Sequence, residues 1–267
     1  MSRSVLDLLG LKGRVAFVVG GCRNLGLDMA TALGEVGADL IVSSRDKAKA
    51  RQCAAGLAER LGVRTLGLGF DATEEQDVLE AFERVQAEFG RLDVLVNNVG
   101  GGAGIGNPQV ENREKRDWDE TLRLNLDAMF LCTRSAIRIM IPQRSGIIIN
   151  IASMSGMVGR DRSVYDFLPG GHSAPDYQTA KAGVINFSRD MAAYLGKHGI
   201  RVNAISPGGF ERGQPPAFVK AYSAQTMLGR MGRDGVDLKG AVVLLAGDAG
   251  AYITGHNLVV DGGFTAW

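Results

Sequence analysis

"RVAFVVGGCRNLGLDMA" (14–30) decides the fold. Residues 14–19 are almost continuously apolar, as in a strand buried on both faces. Gly20, Gly21 and Gly26 follow, and an amphipathic segment begins among them. Glycine lets backbone approach a pyrophosphate closely. A helix N-terminus adds unpaired N–H groups and the positive end of its dipole. The stretch reads as strand, phosphate-binding turn, helix. On these residues alone, a tight turn without a ligand is the alternative.

The same alternation runs outward from there. "DLIVSS" (39–44), "RTLGLGF" (64–70), "LDVLVNN" (92–98), "GIIINIA" (146–152), "IRVNAIS" (200–206) and "NLVVDG" (257–262) read as further buried strands. Amphipathic segments lie near 25–36, 46–61, 74–89, 114–140, 178–197 and 236–247. Apolar strands alternating with helices imply right-handed βαβ units. The expected fold is α/β: a doubly wound, Rossmann-type parallel sheet of about seven strands with helices on both faces. No composition break divides residues 1–267, so a single domain is expected.

Bulk properties narrow the function. A net charge of +1 gives no footprint for nucleic acid or a membrane surface. The N-terminal apolar stretch is interrupted by Asp7 and Lys12 and reads as neither signal peptide nor membrane span. Cys22, Cys53 and Cys132 are far apart in sequence and lack metal-ligand spacing. Free thiols in a reducing, cytoplasmic setting are expected. His172, His198 and His256 are also scattered, so no metal site is expected.

The second strand ends in "VSSRD" (42–46). In a dinucleotide fold an acidic residue here binds the ribose 2′-OH of NAD, and an arginine suits the 2′-phosphate of NADP. Ser44 occupies the acidic slot and Arg45 follows it. Arg23 in the first turn offers a second cation. NADP(H) is therefore preferred. Asp46 keeps NAD(H) possible, although it also reads as an N-cap, with Arg45 as a solvated helix-start residue.

The spacing Gly20-x3-Asn24-x-Gly26 resembles the G-x3-G-x-G turn of the short-chain dehydrogenase/reductase family. Asn24 replaces the middle glycine, and asparagine tolerates left-handed backbone. Val19 stands where that family has threonine. The resemblance continues in order along the chain: "FDAT" (70–73), "NNVG" (97–100), "RLNLDAMF" (123–130), "INIASMSG" (149–156), "YQTAK" (177–181), "ISPGGF" (205–210) and "ITGHNLVVDGG" (253–263). It implies a cofactor site of Gly20, Arg23, Asn24, Leu25, Gly26, Ser44, Arg45, Asp71, Ala72, Asn98, Gly100, Tyr177, Lys181, Pro207 and Gly208. Taken alone, Asp71 reads equally as a turn or cap residue.

A carbonyl that accepts hydride develops negative charge on oxygen and needs a proton donor. The reverse reaction needs a base. Free tyrosine titrates near ~10, too high for a good base at neutral pH. Lysine four residues on lies one helical turn away, and its ammonium favours phenolate. Tyr177 and Lys181 have that spacing. Tyr165 has Pro169 instead. By resemblance, Tyr177 is the acid/base, Lys181 lowers its pKa and holds the nicotinamide ribose, Ser153 binds the substrate oxygen, and Asn125 supports Lys181 through a water. Singly, each has a bland structural alternative.

The gap between Ser153 and Tyr177 exceeds the family pattern and implies an insertion near 157–176, beside the substrate pocket. Arg160 and Arg162 within it could receive a carboxylate or phosphate; a surface or subunit-contact loop is the alternative. The C-terminal region looks like sugar-acid and polyol dehydrogenases related to gluconate 5-dehydrogenase. A 3-oxoacyl-carrier-protein reductase is the runner-up, and a non-catalytic NAD(P)-binding redox sensor is the rival from another class. The partner expected is a small carbonyl or alcohol substrate. Resemblance also implies a homo-oligomer, a homotetramer built on the helices near 114–140 and 178–197, with Trp267 in the tail reaching a neighbouring subunit.

Overall fold

The computed structural model describes residues 3–101, 106–168 and 171–267. At its centre is the strand read first from the sequence. β1 (Val15–Val19) is buried at every position, because strands cover it on both edges and helices on both faces. Its neighbours are β2 (Asp39–Ser44) and β4 (Val94–Asn97), both parallel to it. β3 (Thr65–Gly69) extends the sheet beyond β2. β5 (Gly146–Ile151), β6 (Ile200–Pro207) and β9 (Asn257–Val260) extend it beyond β4. The order is β3-β2-β1-β4-β5-β6-β9, the seven-stranded parallel sheet expected. A two-residue pair, β7 (Phe210–Glu211) with β8 (Gly232–Arg233), stands apart.

Helices cover both faces. Alongside α1 (Val5–Leu9), one face holds α2 (Asn24–Glu35), α3 (Lys47–Leu61) and α9 (Lys239–Ala246), packed through Met29, Leu33, Leu57 and Leu245. The other holds α4 (Glu75–Phe89), α6 (Ala128–Gln143) and α7 (Pro175–Leu195), packed through Phe82, Val85, Met140 and Leu195. Burying each large aliphatic or aromatic side chain contributes about 1.5–3 kcal/mol. Because every strand runs the same way, all carboxyl ends lie along one edge. The chain reverses sides between β1 and β4, and such a switch point opens a crevice at that edge.

Two departures from the sequence expectation shape this edge. The segment expected as one helix near 114–140 is broken. It runs as α5 (Lys115–Leu122), a π-helical turn (Arg123–Asp127), then α6. A helix α8 (Pro216–Ser223), absent from the sequence reading, packs Phe218 and Tyr222 against Val164 and Tyr165 of the 157–176 segment. Tyr165 is thus a core residue of a small satellite lobe, and Pro169 lies outside the described residues.

Two buried polar systems pin the layers. Asn97 donates to Thr133 (3.0 Å) and Asn150 (2.8 Å), and Asn150 donates to Ser188 of α7 (2.9 Å). Amides in such a core are tolerated because they bond one another. Nearer the edge, Arg113 and Asp176 form an ion pair with both side chains at most 4% exposed. Arg113 also donates to Thr121 (3.1 Å), while Asp176 accepts the Tyr177 N–H (3.1 Å). This clamp fixes α5 against the first turn of α7. Removing one partner strands a buried charge, which costs about 3–5 kcal/mol. Asp176→Ala is expected to lose that much in urea unfolding; a loss below about 1 kcal/mol would show that the pair is not the clamp.

Candidate active site

The glycine turn is built by close approach. Gly20 has φ +72°, a left-handed conformation that glycine adopts freely. A Cβ at Gly26 would lie 2.2 Å from the Gly20 carbonyl oxygen and 2.5 Å from Asn98 Nδ2. The missing side chain lets α2 sit directly on the turn. Asn98 donates to the Gly20 carbonyl (3.0 Å), and the Ser43 hydroxyl accepts the Gly20 N–H (3.0 Å). Asn24 has φ +49°, the left-handed conformation that its replacement of glycine demands. Ser43 was missed in the sequence; a polar residue inside an apolar strand was its only signal.

Beyond the turn opens a cleft of about 1210 Å³. Gly20, Arg23, Asn24 and Leu25 line one side, and Ser44, Arg45, Asp71, Ala72, Asn98 and Gly100 line the others. Gly26 lies behind the turn and serves it by packing. Arg23 and Arg45 are joined at the rim by Lys49, Arg60 and Arg212, which sequence reasoning did not single out. The Asp46 carboxylate accepts the Ala48 and Lys49 N–H groups, so it caps α3. Asp71 both lines the cleft and closes a turn, accepting the Thr73 N–H (2.9 Å) and hydroxyl (2.8 Å). Burial acts to raise its carboxyl, but the Thr73 bonds and the Arg123 and Arg45 charges outweigh this and hold it below the ordinary value. Gly-rich floor, helix N-terminus and cationic rim fit a dinucleotide in size and charge.

A recess of about 200 Å³ shares Leu25, Asn98, Gly100 and Tyr177 with the cleft. Ser153, Lys181, Pro207 and Gly208 complete it. Tyr177 and Lys181 lie one turn apart on α7, with Lys181 Nζ 5.7 Å from the tyrosine ring centroid. Lys181 is buried and donates to the Ile151 carbonyl (2.8 Å). Asn125 stands behind the recess wall in the π-helical turn. Its amide donates to the carbonyls of Gly101 (2.7 Å) and Thr121 (2.8 Å), and its oxygen accepts the Gly101 N–H (3.1 Å). Gly100, at φ +132°, faces both groups. A Cβ there would lie 2.3 Å from Asn125 Oδ1 and 3.1 Å from Lys181 Nζ. The two side chains therefore converge on one glycine surface.

The electrostatics differ from the sequence expectation in one respect. Lys181 was expected to draw the Tyr177 pKa down. Burial instead raises Tyr177 above its ordinary value, against the Ser153 hydrogen bond and the Arg160 charge, which favour phenolate. Lys181 is itself pushed down to about 8 by burial.

The described residues of the 157–176 segment connect the end of β5 to α7 and pack against α8. Arg160 stacks over Tyr165, 4.6 Å from the ring centroid, and donates to Ser173 (3.0 Å). Arg162, its companion in the sequence expectation, is exposed. The Tyr222 hydroxyl accepts the Gly209 N–H (2.5 Å), tying α8 to the turn after β6. Among the described residues, no group of three or more His, Cys, Asp or Glu side chains is placed to hold a metal, and no helix is long and apolar enough to cross a membrane.

Comparisons with known proteins agree with this geometry. A family described as enoyl-(acyl carrier protein) reductase matches residues 20–265. The 3-oxoacyl-acyl-carrier-protein reductase of Aquifex aeolicus (strain VF5) is 32% identical over 258 residues, 95% of this chain and 98% of that protein. The gluconate 5-dehydrogenase of Gluconobacter oxydans (strain 621H) is 31% identical over 266 residues, 97% of each. A solved gluconate 5-dehydrogenase from Burkholderia cenocepacia J2315, in complex with NADP and tartrate, superposes with a TM-score of 0.88 at 31% identity, covering 99% of this chain and 100% of that one. The chain belongs to the short-chain dehydrogenase/reductase family of nicotinamide-dependent oxidoreductases acting on CH–OH and keto groups.

Proposed function

We propose that this protein is an NADP(H)-preferring oxidoreductase that interconverts a secondary alcohol and a ketone on a sugar acid or polyol. The observation that carries it is the meeting of Ser153, Tyr177 and Lys181 in a recess opening directly off the cleft. Bound in that cleft, the nicotinamide would supply or accept the hydride. Gly20, Asn24, Leu25 and the α2 N-terminus receive the pyrophosphate; Asp71, Ala72, Asn98 and Gly100 line the adenosine and ribose positions; Pro207 and Gly208 border the nicotinamide. Arg23 and Arg45 favour a 2′-phosphate, and Ser44 offers it no repulsion. Asp46 also lines the cleft, but it spends one carboxylate oxygen on capping α3.

Ser153 and Tyr177 hold the substrate oxygen. Tyr177 gives its proton to that oxygen during reduction and takes one during oxidation. Burial and the Ser153 hydrogen bond act on its hydroxyl in opposite directions, and burial prevails. Lys181 holds the ribose beside it, and Asn125 keeps the Gly100–Gly101 wall and Lys181 in place. Arg160, beside Tyr165 and within electrostatic reach of Tyr177, is the group suited to a substrate carboxylate. That favours a sugar acid. The similarity to the Aquifex protein supports a second reading, a 3-oxoacyl thioester.

A cytoplasmic homotetramer is part of the proposal. Phe130 on α6 and Tyr194 on α7 are about half exposed, which suits these helices to a subunit contact. Trp267 donates its indole N–H to the Gln225 carbonyl (2.7 Å) and leaves its ring exposed, available to a neighbour.

Two variants test the site. Tyr177→Phe is expected to bind NADPH, followed by fluorescence titration, and to lose turnover by about 10²–10⁴-fold. Undiminished turnover would remove Tyr177 from the acid/base role, and a wild type with no turnover on any ketone would favour the redox-sensor alternative. Lys181→Met removes a buried ammonium. In the wild type the folded lysine titrates near 8 and the unfolded one at 10.5. Between those values the unfolded chain binds more protons, so wild-type stability rises with pH. The variant is expected to lose turnover yet be about 1–3 kcal/mol more stable at neutral pH, an advantage that shrinks above pH 8. A variant less stable at every pH would contradict the account of Lys181.

A further inference from the structure

Two of the three cysteines, distant in sequence, meet at the cleft. Cys22 lies in the glycine turn and Cys53 on α3. Both are partly exposed and both line the same cavity as Gly20, Arg23 and Asn24. Cys53 Sγ is 3.9 Å from the carbonyl oxygen of Gly21, the residue before Cys22. We propose that Cys22 and Cys53 form a redox-sensitive dithiol that a small disulfide oxidant closes to an intramolecular disulfide, distorting the turn that cradles the pyrophosphate.

The two thiols line one cavity, with Cys53 beside the backbone of the residue that precedes Cys22. Burial raises the Cys22 thiol, whereas the Arg60 charge acts to lower Cys53 against the effect of burial. Cys53 is thus the attacking sulfur. As thiolate it attacks one sulfur of the oxidant RS–SR. The oxidant's S–S bond breaks, RS⁻ leaves and takes up a proton, and a Cys53 mixed disulfide forms. Cys22 then loses its proton, attacks the Cys53 sulfur and expels the second RS⁻. Two thiols are oxidised and RS–SR is reduced to two RSH. Cys132 is buried, with its thiol raised by burial, and serves as an unreactive internal control.

The local packing explains why closure matters. Drawing the two sulfurs to an S–S bond of about 2.05 Å moves Cys22 toward α3. Gly21, which joins Cys22 to the end of β1, has close neighbours on one side. A Cβ there would lie 2.7 Å from the Val18 carbonyl oxygen and 3.1 Å from Val42 Cγ1, so the turn is walled on that side. The displacement of Cys22 would be passed along the chain to Arg23 and Asn24, where α2 begins. Only this consequence rests on the proposed dinucleotide reading; the dithiol itself does not.

The test is to incubate the full chain with glutathione disulfide, with and without NADPH, then map its peptides by mass and titrate NADPH by fluorescence. Expected are a Cys22–Cys53 cross-linked peptide, a free Cys132, and NADPH affinity weakened by about tenfold or more. Dithiothreitol should restore binding, and bound NADPH should slow cross-linking. In Cys53→Ser the ratio of affinities before and after treatment should be near one. Glutathione attached without a cross-link, or a cross-link that leaves NADPH affinity unchanged, would overturn the proposal. If untreated protein does not bind NADPH, the dinucleotide reading fails, and the peptide map alone then decides for or against the dithiol.

Discussion

Everything at this site depends on how closely α2 approaches the end of β1. Gly26 lies on the Gly20 carbonyl with no room for a methyl group, and Asn98 ties that carbonyl to the end of β4. This contact spans the switch point of the sheet. It fixes the α2 N-terminus, the β1 turn and the β4 end as one rigid corner, and it leaves the crevice open in front. A larger residue at 26 would push the helix off the sheet and carry its N-terminal N–H groups away from the turn.

The second half of the site repeats the device with another glycine. Gly100 gives up its side chain so that Asn125 and Lys181 can close on one surface. Asn125 comes from a π-helical turn, a break in regular hydrogen bonding that shifts the register between α5 and α6. Such breaks are frequent at functional positions. The Arg113–Asp176 pair then fixes the start of α7, so Tyr177 and Lys181 enter the recess at a set height. Desolvation, more than mutual charge, dominates their protonation: the tyrosine is held as an acid and the lysine is weakened as a base.

Much of this was legible in the sequence, for a physical reason. Parallel strands and their helices are local, periodic patterns, and the strand-end residues of the site lie at or within two positions of a strand's carboxyl end. Gly20 and Ser44 could therefore be placed from the strand–turn pattern, and Asp71, Asn98, Ser153 and Gly208 from the order of motifs that resemble the family's. What was hidden involves contacts between distant positions. Arg113 and Asp176 are 63 residues apart, and nothing in either local pattern announces the other. The two thiols meet only because α3 packs beside the turn. The break at 123–127 is likewise silent, because "RLNLDAMF" keeps an ordinary amphipathic pattern. The tyrosine's raised pKa follows from burial, which spacing does not report.

The central claim is that this site reduces a ketone bearing a carboxylate, with NADPH. The most direct measurement is nicotinamide absorbance on a panel of keto sugar acids, neutral sugars and acetoacetyl thioesters, with NADPH and NADH in parallel. The account predicts turnover of a keto sugar acid, faster with NADPH than with NADH and faster than any neutral sugar. Turnover of the thioester alone, or an equal or better rate with NADH, would contradict it.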